Sequence, residues 1–372
     1  MLSRRDFLAA TLLTPAIARL QPPPGARLVG VLPFGDPSGR ATPLNRLLGA
    51  GLDARLFSDL SSISPDHLLT PLDQFFIRTA APKPVADSWT LSVGGLVQQA
   101  QTIDLPTLEK LRQNCGRVLI ECAGNSDPAN YGLMSVADWD GVPVLPLLDR
   151  AKPAAQNQRV LISGVDDETS GTRTSIPGAS WIFSREQLEG AFLALSMNGR
   201  PLTPDHGAPL RLVVPGWYGC ACIKWASRIE CVADDAPPTS QMEEYAGRTH
   251  QAGRPRLARD YTPAAIDTAA LPVRIEKWTA GDKPFYRVVG ILWGGTKATN
   301  ALMIRFKASQ PWVPVEDCPL PASTLTWSLW THTWRPDEPG RYQIVLKVND
   351  PSIRTRRLDL FFYVRDVAIN DI

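Results

Sequence analysis

The segment RVLIECAGN, from Arg117 to Asn125, joins an apolar run to a tight turn. Val118, Leu119 and Ile120 are branched and apolar, which predicts a buried strand. Cys122 stands where that strand ends and the Ala-Gly-Asn turn begins, so its sulfur could face a cavity at the strand end. Because an unpaired cysteine also packs as a small hydrophobic residue, its position alone favours a buried thiol over a reactive one.

Short strands and helices alternate around this segment, from about residue 66 to residue 240. Asp104 is a predicted N-cap for a helix at Leu105–Leu111, which has helical spacing. The other predicted elements are strands at Trp89–Val93, Arg159–Gly164, Leu210–Val214 and Ile223–Val232 and a short helix at Val142–Leu148. This mixture predicts an α+β protein whose first domain, residues 66–240, has a mixed α/β architecture.

Beyond residue 270 only strand patterns remain. Five apolar stretches separated by turn residues occur there: Phe285–Trp293, Ala301–Ala308, Thr324–Trp334, Gly340–Val348 and Arg357–Val364. Their spacing predicts an immunoglobulin-like β-sandwich at residues 271–372. Residues 241–270 are polar and rich in Pro and Arg, which predicts a linker. Residues 19–65 are predicted to form an extended arm with a short helix near Leu44 to Leu60.

Residues 1–18 have the form of an export signal. Arg4 and Arg5 precede an apolar run from Leu8 to Ile17, and Ala16-Ile17-Ala18 has the small-x-small form of a cleavage site. The alternative is a cytosolic amphipathic N-terminus with two accidental arginines. The paired arginines favour a twin-arginine signal, which predicts export to the periplasm. Since this route carries folded proteins that often already hold a cofactor, we expect a cofactor site in the rest of the chain.

Composition excludes several classes of partner. The 372 residues are 44% hydrophobic and 20% charged, and the formal net charge is +2. With no basic block, nucleic acid is not an expected partner, and no apolar run is long enough to span a bilayer. The four histidines show no zinc-ligand spacing. A disulfide between Cys220 and Cys231 stays open at this stage, because sequence cannot assign pairings.

Several motifs together resemble the sulfite oxidase family of molybdopterin-dependent oxidoreductases. In that family a cysteine in a CAGN turn ligates molybdenum, as Cys122 would here. Each motif is weak alone, but all occur in the family's order from about residue 66 to the end of the chain. They are FFIRT (75–79), IECAGN (120–125), WDGVPVLPLL (139–148), HGAPLRLVVPG (206–216), IKW (223–225), WGGTK (293–297) and the segment 327–334.

The resemblance implies a cofactor in which molybdenum is held by the dithiolene of a pterin with a phosphate tail. A soft thiolate such as that of Cys122 suits this metal. The phosphate and the pterin need cations and hydrogen-bond donors, a role that the resemblance gives to His206, Arg211 and Lys224. Taken singly, these three residues could equally be a turn histidine and two solvated strand positions. The remaining cofactor contacts that it implies are Phe76, Arg78, Ala123, Gly124 and Asn125.

The resemblance also implies a catalytic set. Cys122 would stay bound to the metal, Arg78 would position an oxyanion, and Tyr245 would hydrogen-bond the reacting oxygen. The alternatives are a surface ion pair for Arg78 and an ordinary linker aromatic for Tyr245. Lys297 and Trp139 are weaker candidates for substrate contact.

The chain departs from the family's pattern at four places. Ser126-Asp127 stands where sulfite oxidases have arginines, and Thr79-Ala80 lacks a pterin-binding histidine. Cys220-Ala221-Cys222 replaces an arginine and a polar partner, and Lys297 replaces an arginine. These changes predict a less positive substrate pocket, which puts sulfite itself in doubt while leaving the fold and Cys122 intact.

The expected function is therefore two-electron oxygen-atom transfer on a small oxyanion or sulfur compound. The alternatives are a molybdenum-dependent sulfoxide-type reductase and a degenerate, cofactor-free binding or assembly module. No haem-attachment or flavin motif is seen in this chain, so electrons would leave to an external carrier such as a c-type cytochrome. Resemblance of the C-terminal sandwich to the family's dimerisation domain implies a homodimer.

Overall fold

The computed structural model of the chain describes residues 24–32, 34, 42–81, 88–126, 131–154, 159–166, 178–281, 283–355 and 364–370. The predicted export signal, Asp127 and most of the strand predicted at Arg357–Val364 lie outside these residues.

The first part of the chain forms the expected mixture of strands and short helices. Asp104 caps the first helix, since its Oδ1 accepts a hydrogen bond from the Thr107 amide at 2.9 Å. In chain order the elements are β1 (Arg27–Leu32), β2 (Thr90–Gly95), β3 (Gln101–Asp104), α1 (Leu105–Lys110), β4 (Gln113–Glu121), β5 (Met134–Pro143), α2 (Val144–Arg150), β6 (Arg159–Gly164), β7 (Ser180–Phe183), β8 (Phe192–Met197), β9 (Arg200–Pro201), β10 (Arg211–Val213) and β11 (Ala226–Val232).

Strands β2 to β11 build two sheets. One has the order β10-β8-β5-β4, with β9 paired to β8, and the other has the order β3-β2-β11-β6-β7. The β2–β11 pair is parallel and the other pairs in these sheets are antiparallel. Strand β4 lies at the edge of the first sheet and leads directly into Cys122. The first sheet therefore positions the predicted metal ligand.

The rest of the chain is dominated by strands. Its elements are α3 (Ser240–Tyr245), β12 (Ala269–Ala280), β13 (Lys283–Trp293), β14 (Leu302–Arg305), β15 (Val313–Pro314), β16 (Ser328–Trp334), β17 (Gly340–Val348) and β18 (Val364–Ile369). They form antiparallel sheets of order β1-β12-β13-β16 and β15-β14-β17-β18. Buried residues of both sheets, such as Ile275, Val288 and Ile344, belong to one apolar cluster. The predicted α+β class with a β-sandwich-type domain is confirmed.

The N-terminal arm differs from the prediction. Strand β1 pairs with β12 over Arg27–Leu32, so this part of the arm belongs to the C-terminal sandwich. The short helix predicted near Leu44 to Leu60 is wrong, since the segment has only single 3-10 turns at Gly51–Asp53 and Leu60–Ser62. Every second residue from Leu52 to Leu60 is buried, which is the periodicity of extended chain.

The segment predicted as a linker is packed. It contains α3 and two 3-10 turns, Ala246–Arg248 and Ala258–Asp260. Met242 and Ala264 are fully buried. Because these side chains contact the core, the backbone between the two halves follows a fixed path. Among the described residues, no helix is long and apolar enough to cross a membrane.

Candidate active site

Cys122 lies at the wall of a cavity of about 740 Å³, its open mouth included. The side chain is 5% exposed. The Gly124 amide donates a hydrogen bond to its Sγ at 3.3 Å, and the Asn125 amide closes the turn on the Cys122 carbonyl at 3.0 Å. A thiolate is the form of cysteine that binds metals, and an N–H donor can hydrogen-bond to a sulfur in that position. The geometry therefore suits Cys122 as a ligand.

The Cys122 turn is held from both halves of the molecule. Glu121 is completely buried, and its Oε2 accepts a hydrogen bond from Trp293 Nε1 of β13 at 2.9 Å. The Gly219 amide donates to the Glu121 carbonyl at 2.7 Å. Asn125 is also buried, and its Oδ1 accepts from the Leu133 amide at 3.2 Å. These contacts fix the direction in which the Cys122 side chain points.

Arg211 places a cation in the same cavity with little compensation from the protein. Its side chain is 5% exposed, and Nη1 donates to the His206 carbonyl at 3.3 Å. Its Nε is buried and has no hydrogen-bond partner within the described part of the chain. Burial lowers the pKa of Arg211 to about 10, so the group stays charged at neutral pH. A buried guanidinium with an unused donor is an anion-binding group.

Lys224 lines the cavity next to Arg211. Its Nζ donates to the carbonyls of Thr79 and Asp205. Burial lowers the pKa of Lys224 well below its ordinary value, and the charge of Arg211 adds to the effect. Asp166, which the sequence analysis did not single out, also lines the cavity, and burial raises the pKa of its carboxyl group.

His206 is buried and does not line the cavity with Arg211 and Lys224. Its Nε2 lies 3.1 Å from the Phe75 carbonyl and its Nδ1 2.7 Å from Thr203 Oγ1. Both ring nitrogens are therefore engaged by the protein, and the ring packs edge-on against Phe75. Burial lowers the pKa of His206 to about 4, which keeps the ring neutral. In this arrangement His206 supports the segment that carries Phe76 and Arg78.

Arg78 and Tyr245 line the cavity together with Phe76 and Cys122, as the motifs predict. Burial raises the pKa of Tyr245 above its ordinary value, and negative charge on Cys122 acts in the same direction. The phenol is therefore neutral and can donate a hydrogen bond. Tyr245 is the last residue of α3, whose first turn is capped by the Thr239 hydroxyl.

Two arginines that the sequence analysis missed lie beside these residues. Arg55 Nη1 donates to the Arg78 carbonyl and to the Ala54 carbonyl. Burial lowers the pKa of Arg55 to about 10, and the neighbouring charge of Arg78 adds to this. Arg248 Nη1 lies 3.4 Å from the position that a Cβ on Gly124 would take. The site is thus more positive than Ser126 and Asp127 predicted.

Other predicted residues lie away from the cavity. Trp139 is fully buried in the apolar core, where its Nε1 donates to the Val118 carbonyl at 3.1 Å, and it is not among the residues that line the cavity. Lys297 is exposed and lies 3.6 Å from Asp350 beside a separate cleft of the C-terminal sandwich. Ala123 is buried in the core beneath the Cys122 turn.

The departures from the family's pattern are also placed by the structure. Cys220 and Cys222 are buried, line the cavity and are free thiols, and Cys231 is free as well, so no Cys220–Cys231 disulfide forms. Burial raises the pKa of both Cys220 and Cys222. Gln241 of α3 donates to the Cys220 carbonyl and also lines the cavity. Ser126 is exposed, and Ala80 is buried.

Comparison with known proteins shows a similarity that includes most of the residues lining this cavity. Residues 78–240 match the model described as "Oxidoreductase molybdopterin binding domain". The chain is similar to the sulfite oxidase family of molybdopterin-dependent oxidoreductases, and the matched residues form a molybdopterin-binding oxidoreductase domain. The match covers Cys122, Arg211 and Lys224 and ends within α3.

Two sequence relatives and one solved structure show how far the similarity extends. The chain is 27% identical to "Nitrate reductase [NADPH]" of Emericella nidulans over 68% of its length and 32% of that protein. It is 26% identical to "Sulfite oxidase" of Gallus gallus over 77% of its length and 68% of that protein. The chain thus spans about a third of the length of the fungal nitrate reductase. The crystal structure of the sulfane dehydrogenase SoxCD from Paracoccus pantotrophus aligns with a TM-score of 0.65 at 17% identity, covering 91% of this chain and 94% of that one.

Proposed function

We propose that the protein is an exported molybdenum-cofactor oxidoreductase that catalyses two-electron oxygen-atom transfer, with sulfite or a related sulfur compound as its substrate. One observation carries this proposal. A cavity has the Cys122 thiol on one wall and the buried, unsatisfied Nε of Arg211 on another. A soft ligand and a separate anion site are what a molybdenum held by a phosphate-bearing pterin requires.

The residues present fit that group. Arg211 and Lys224 would hold the phosphate. Arg211 is a buried cation with no carboxylate partner among the described residues, and such a cation is most stable when an anion binds it. Phe76 supplies an apolar wall and Gln241 an amide at the cavity surface. Cys122 would ligate the metal, with the Gly124 amide oriented towards its sulfur.

The cofactor, when bound, supplies the two-electron redox chemistry. The chain's own residues orient the substrate and control its charge. Arg78 would hold the negative charge of an oxyanion near Cys122, and Arg55 fixes the Arg78 backbone by its hydrogen bond to that carbonyl. Tyr245, with its raised pKa, would donate a hydrogen bond to the reacting oxygen. A preorganised donor and cation of this kind stabilise charge that develops during the reaction.

A reductase with the same ligands and reversed electron flow is the second candidate. Its support is the similarity to fungal nitrate reductases, which places reductases among the relatives. A cofactor-free binding module is a third candidate, motivated by the missing pterin-binding histidine after Arg78. The unsatisfied Arg211 Nε argues against it, because a module without an anion would keep a buried charge at a continuing cost in stability.

Metal and pterin analysis tests the proposal directly. Protein made in a host that synthesises the cofactor should contain about one molybdenum and one pterin per chain. Cys122→Ser should abolish turnover, whereas Cys318→Ser, a matched change in the C-terminal half, should leave it intact. Protein that folds but holds neither metal nor pterin would refute the enzyme function.

Substrate and direction are decided by one panel. Sulfite, thiosulfate and other sulfur oxyanions are assayed with ferricyanide as electron acceptor, and sulfoxides and nitrate with a reduced dye as donor. We expect turnover in the first set. Turnover only in the second would replace the oxidase by a reductase. The partners proposed alongside this activity are an external carrier, such as a c-type cytochrome, and a second copy of the chain in a homodimer.

A further inference from the structure

Arg248 stands beside Cys122 although the two are far apart in sequence. It ends the 3-10 turn Ala246–Arg248 that follows α3. The position that a Cβ on Gly124 would take lies 3.4 Å from Arg248 Nη1 and 3.7 Å from Cys122 Sγ. The guanidinium and the sulfur therefore approach one point on the surface of the turn. Because residue 124 is glycine, no side chain separates them.

Arg248 also contacts the second reactive side chain of the site. Its Cζ lies over the Tyr245 ring, 5.6 Å from the ring centroid. Stacking on an aromatic face leaves the in-plane N–H groups of a guanidinium available to an oxyanion. Arg248 is exposed, whereas Arg211 is buried, so an incoming anion can reach Arg248 from solvent. Its location thus combines access with proximity to Cys122 and Tyr245.

The Cys122 turn itself offers no cation within the described residues. Ser126 follows Asn125, and its hydroxyl donates to the Gly124 carbonyl at 3.4 Å. In the resembling family this part of the chain carries arginine. Here the positive charge next to the turn comes instead from a segment more than a hundred residues later.

We propose that Arg248 binds the anionic substrate at the mouth of the site and determines the preference for anions over neutral compounds. It replaces, from a different element, the cation that Ser126 lacks. This inference rests on the proposed function, since it takes redox chemistry next to Cys122 as given. It concerns substrate charge alone and assigns Arg248 no role in holding the cofactor.

The test compares Arg248→Ala and Arg248→Lys with Arg256→Ala. Arg256 is an exposed arginine of the same segment, so its removal makes the same change in net charge. With sulfite as substrate, we expect Arg248→Ala to raise KM about 10- to 100-fold, the usual effect of losing a hydrogen bond to a charged group. Arg248→Lys should recover part of the loss, and Arg256→Ala should stay within about twofold of wild type.

Four further readouts separate anion binding from a structural role. KM for a neutral dialkyl sulfide, oxidised with ferricyanide as acceptor, should stay unchanged in Arg248→Ala, and the salt dependence of kcat/KM for sulfite should become shallower. Molybdenum and pterin content should equal that of wild type. Calorimetry with sulfate as the probe should show about a tenfold weaker Kd in the holoenzyme variant, a measurement that needs no turnover.

Some outcomes would overturn the proposal while sparing the proposed function. An unchanged KM for sulfite, an equal rise in KM for sulfite and the neutral sulfide, or unchanged sulfate binding would each exclude Arg248 as the anion site. Loss of cofactor from Arg248→Ala would assign the residue to the cofactor instead. If wild-type holoenzyme turned over no compound, the proposed function would fail, and sulfate calorimetry would still decide on Arg248.

Discussion

Arg211 carries a charge that the protein alone does not neutralise. Burial lowers its pKa to about 10, and its Nε has no hydrogen-bond partner within the described part of the chain. Removing a cation from water costs several kcal/mol, which only a bound anion or a paired carboxylate offsets. At the scale of the residue, the buried charge that would bind the cofactor therefore lowers the stability of the cofactor-free protein.

Arg211→Met should remove this cost and stabilise the cofactor-free protein. In denaturant titrations without cofactor, we expect the free energy of unfolding of the variant to be about 1–4 kcal/mol higher than that of wild type. The reason is that Met fills a similar volume without a charge. The same variant should lose pterin when produced in a cofactor-competent host. Arg117→Met, which removes an exposed partner of Asp138, serves as the control and should change neither quantity much. Lower stability of the cofactor-free variant would contradict the argument.

His206 makes stability depend on pH. Its pKa falls from 6.5 to about 4 on folding because burial disfavours the charged ring. The unfolded chain then binds a proton between these values that the folded chain does not. Stability should fall as pH decreases from about 6.5 to about 4, by up to about 3 kcal/mol, and this contribution should level off below pH 4.

Denaturant titrations at pH 7 and pH 4.5 check this expectation. His206→Gln keeps hydrogen-bonding capacity but does not titrate, so its loss of stability between the two pH values should be smaller than that of wild type. Carboxyl groups elsewhere in the chain titrate equally in both proteins, so their contribution to the pH dependence of stability cancels in the comparison. Equal pH dependence in the two proteins would show that His206 is not held neutral.

At the scale of elements, the Glu121–Trp293 hydrogen bond joins the end of β4 to β13. Glu121 precedes Cys122, so the C-terminal sandwich helps to fix the direction in which the Cys122 side chain points. Asn125 Nδ2 lies 3.5 Å from Glu121 Oε1 on the other side. A single buried carboxylate thus connects the Cys122 turn, its own strand and the neighbouring domain.

Glu121→Ala should therefore weaken both stability and metal binding. Leaving the Trp293 and Asn125 donors buried without an acceptor costs about 1–3 kcal/mol each. We expect an unfolding free energy lower by about 2–4 kcal/mol and a molybdenum content well below one per chain. Glu189→Ala, an exposed carboxylate in the same half, is the control. Full metal content in Glu121→Ala would show that the turn does not need this support.

At the scale of the whole molecule, the predicted export signal at residues 1–18 would determine the compartment in which the protein is found. Replacing Arg4 and Arg5 by lysine should leave the folded, metal-containing protein in the cytoplasm, because the twin-arginine route reads that pair. Fractionation followed by metal analysis of each fraction measures the result. A lysine pair exported as well as the arginine pair would contradict this route.

The local features of the site could be predicted from sequence because each lies within one short segment. The strand ending at Cys122 and the Ala-Gly-Asn turn are determined by neighbouring residues, and the order of the motifs indicates the family. Arg78, Tyr245, Arg211 and Lys224 were found by these motifs, and the cavity brings them together with Cys122. The strand pattern likewise predicted the sandwich, since alternation and turn residues are local signals.

Only the tertiary structure decided which segments that are distant in the sequence contact one another. Arg55 was hidden in a stretch predicted as helix, where the real period of two directs it away from the core and towards Arg78. Arg248 was hidden in a stretch predicted as a linker, and its approach to Gly124 depends on the packing of α3. Charge at a site adds through space irrespective of position along the chain. The sequence by itself therefore predicted Cys122 as the metal ligand, because that prediction rests on one short segment, whereas folding determined the charge around Cys122.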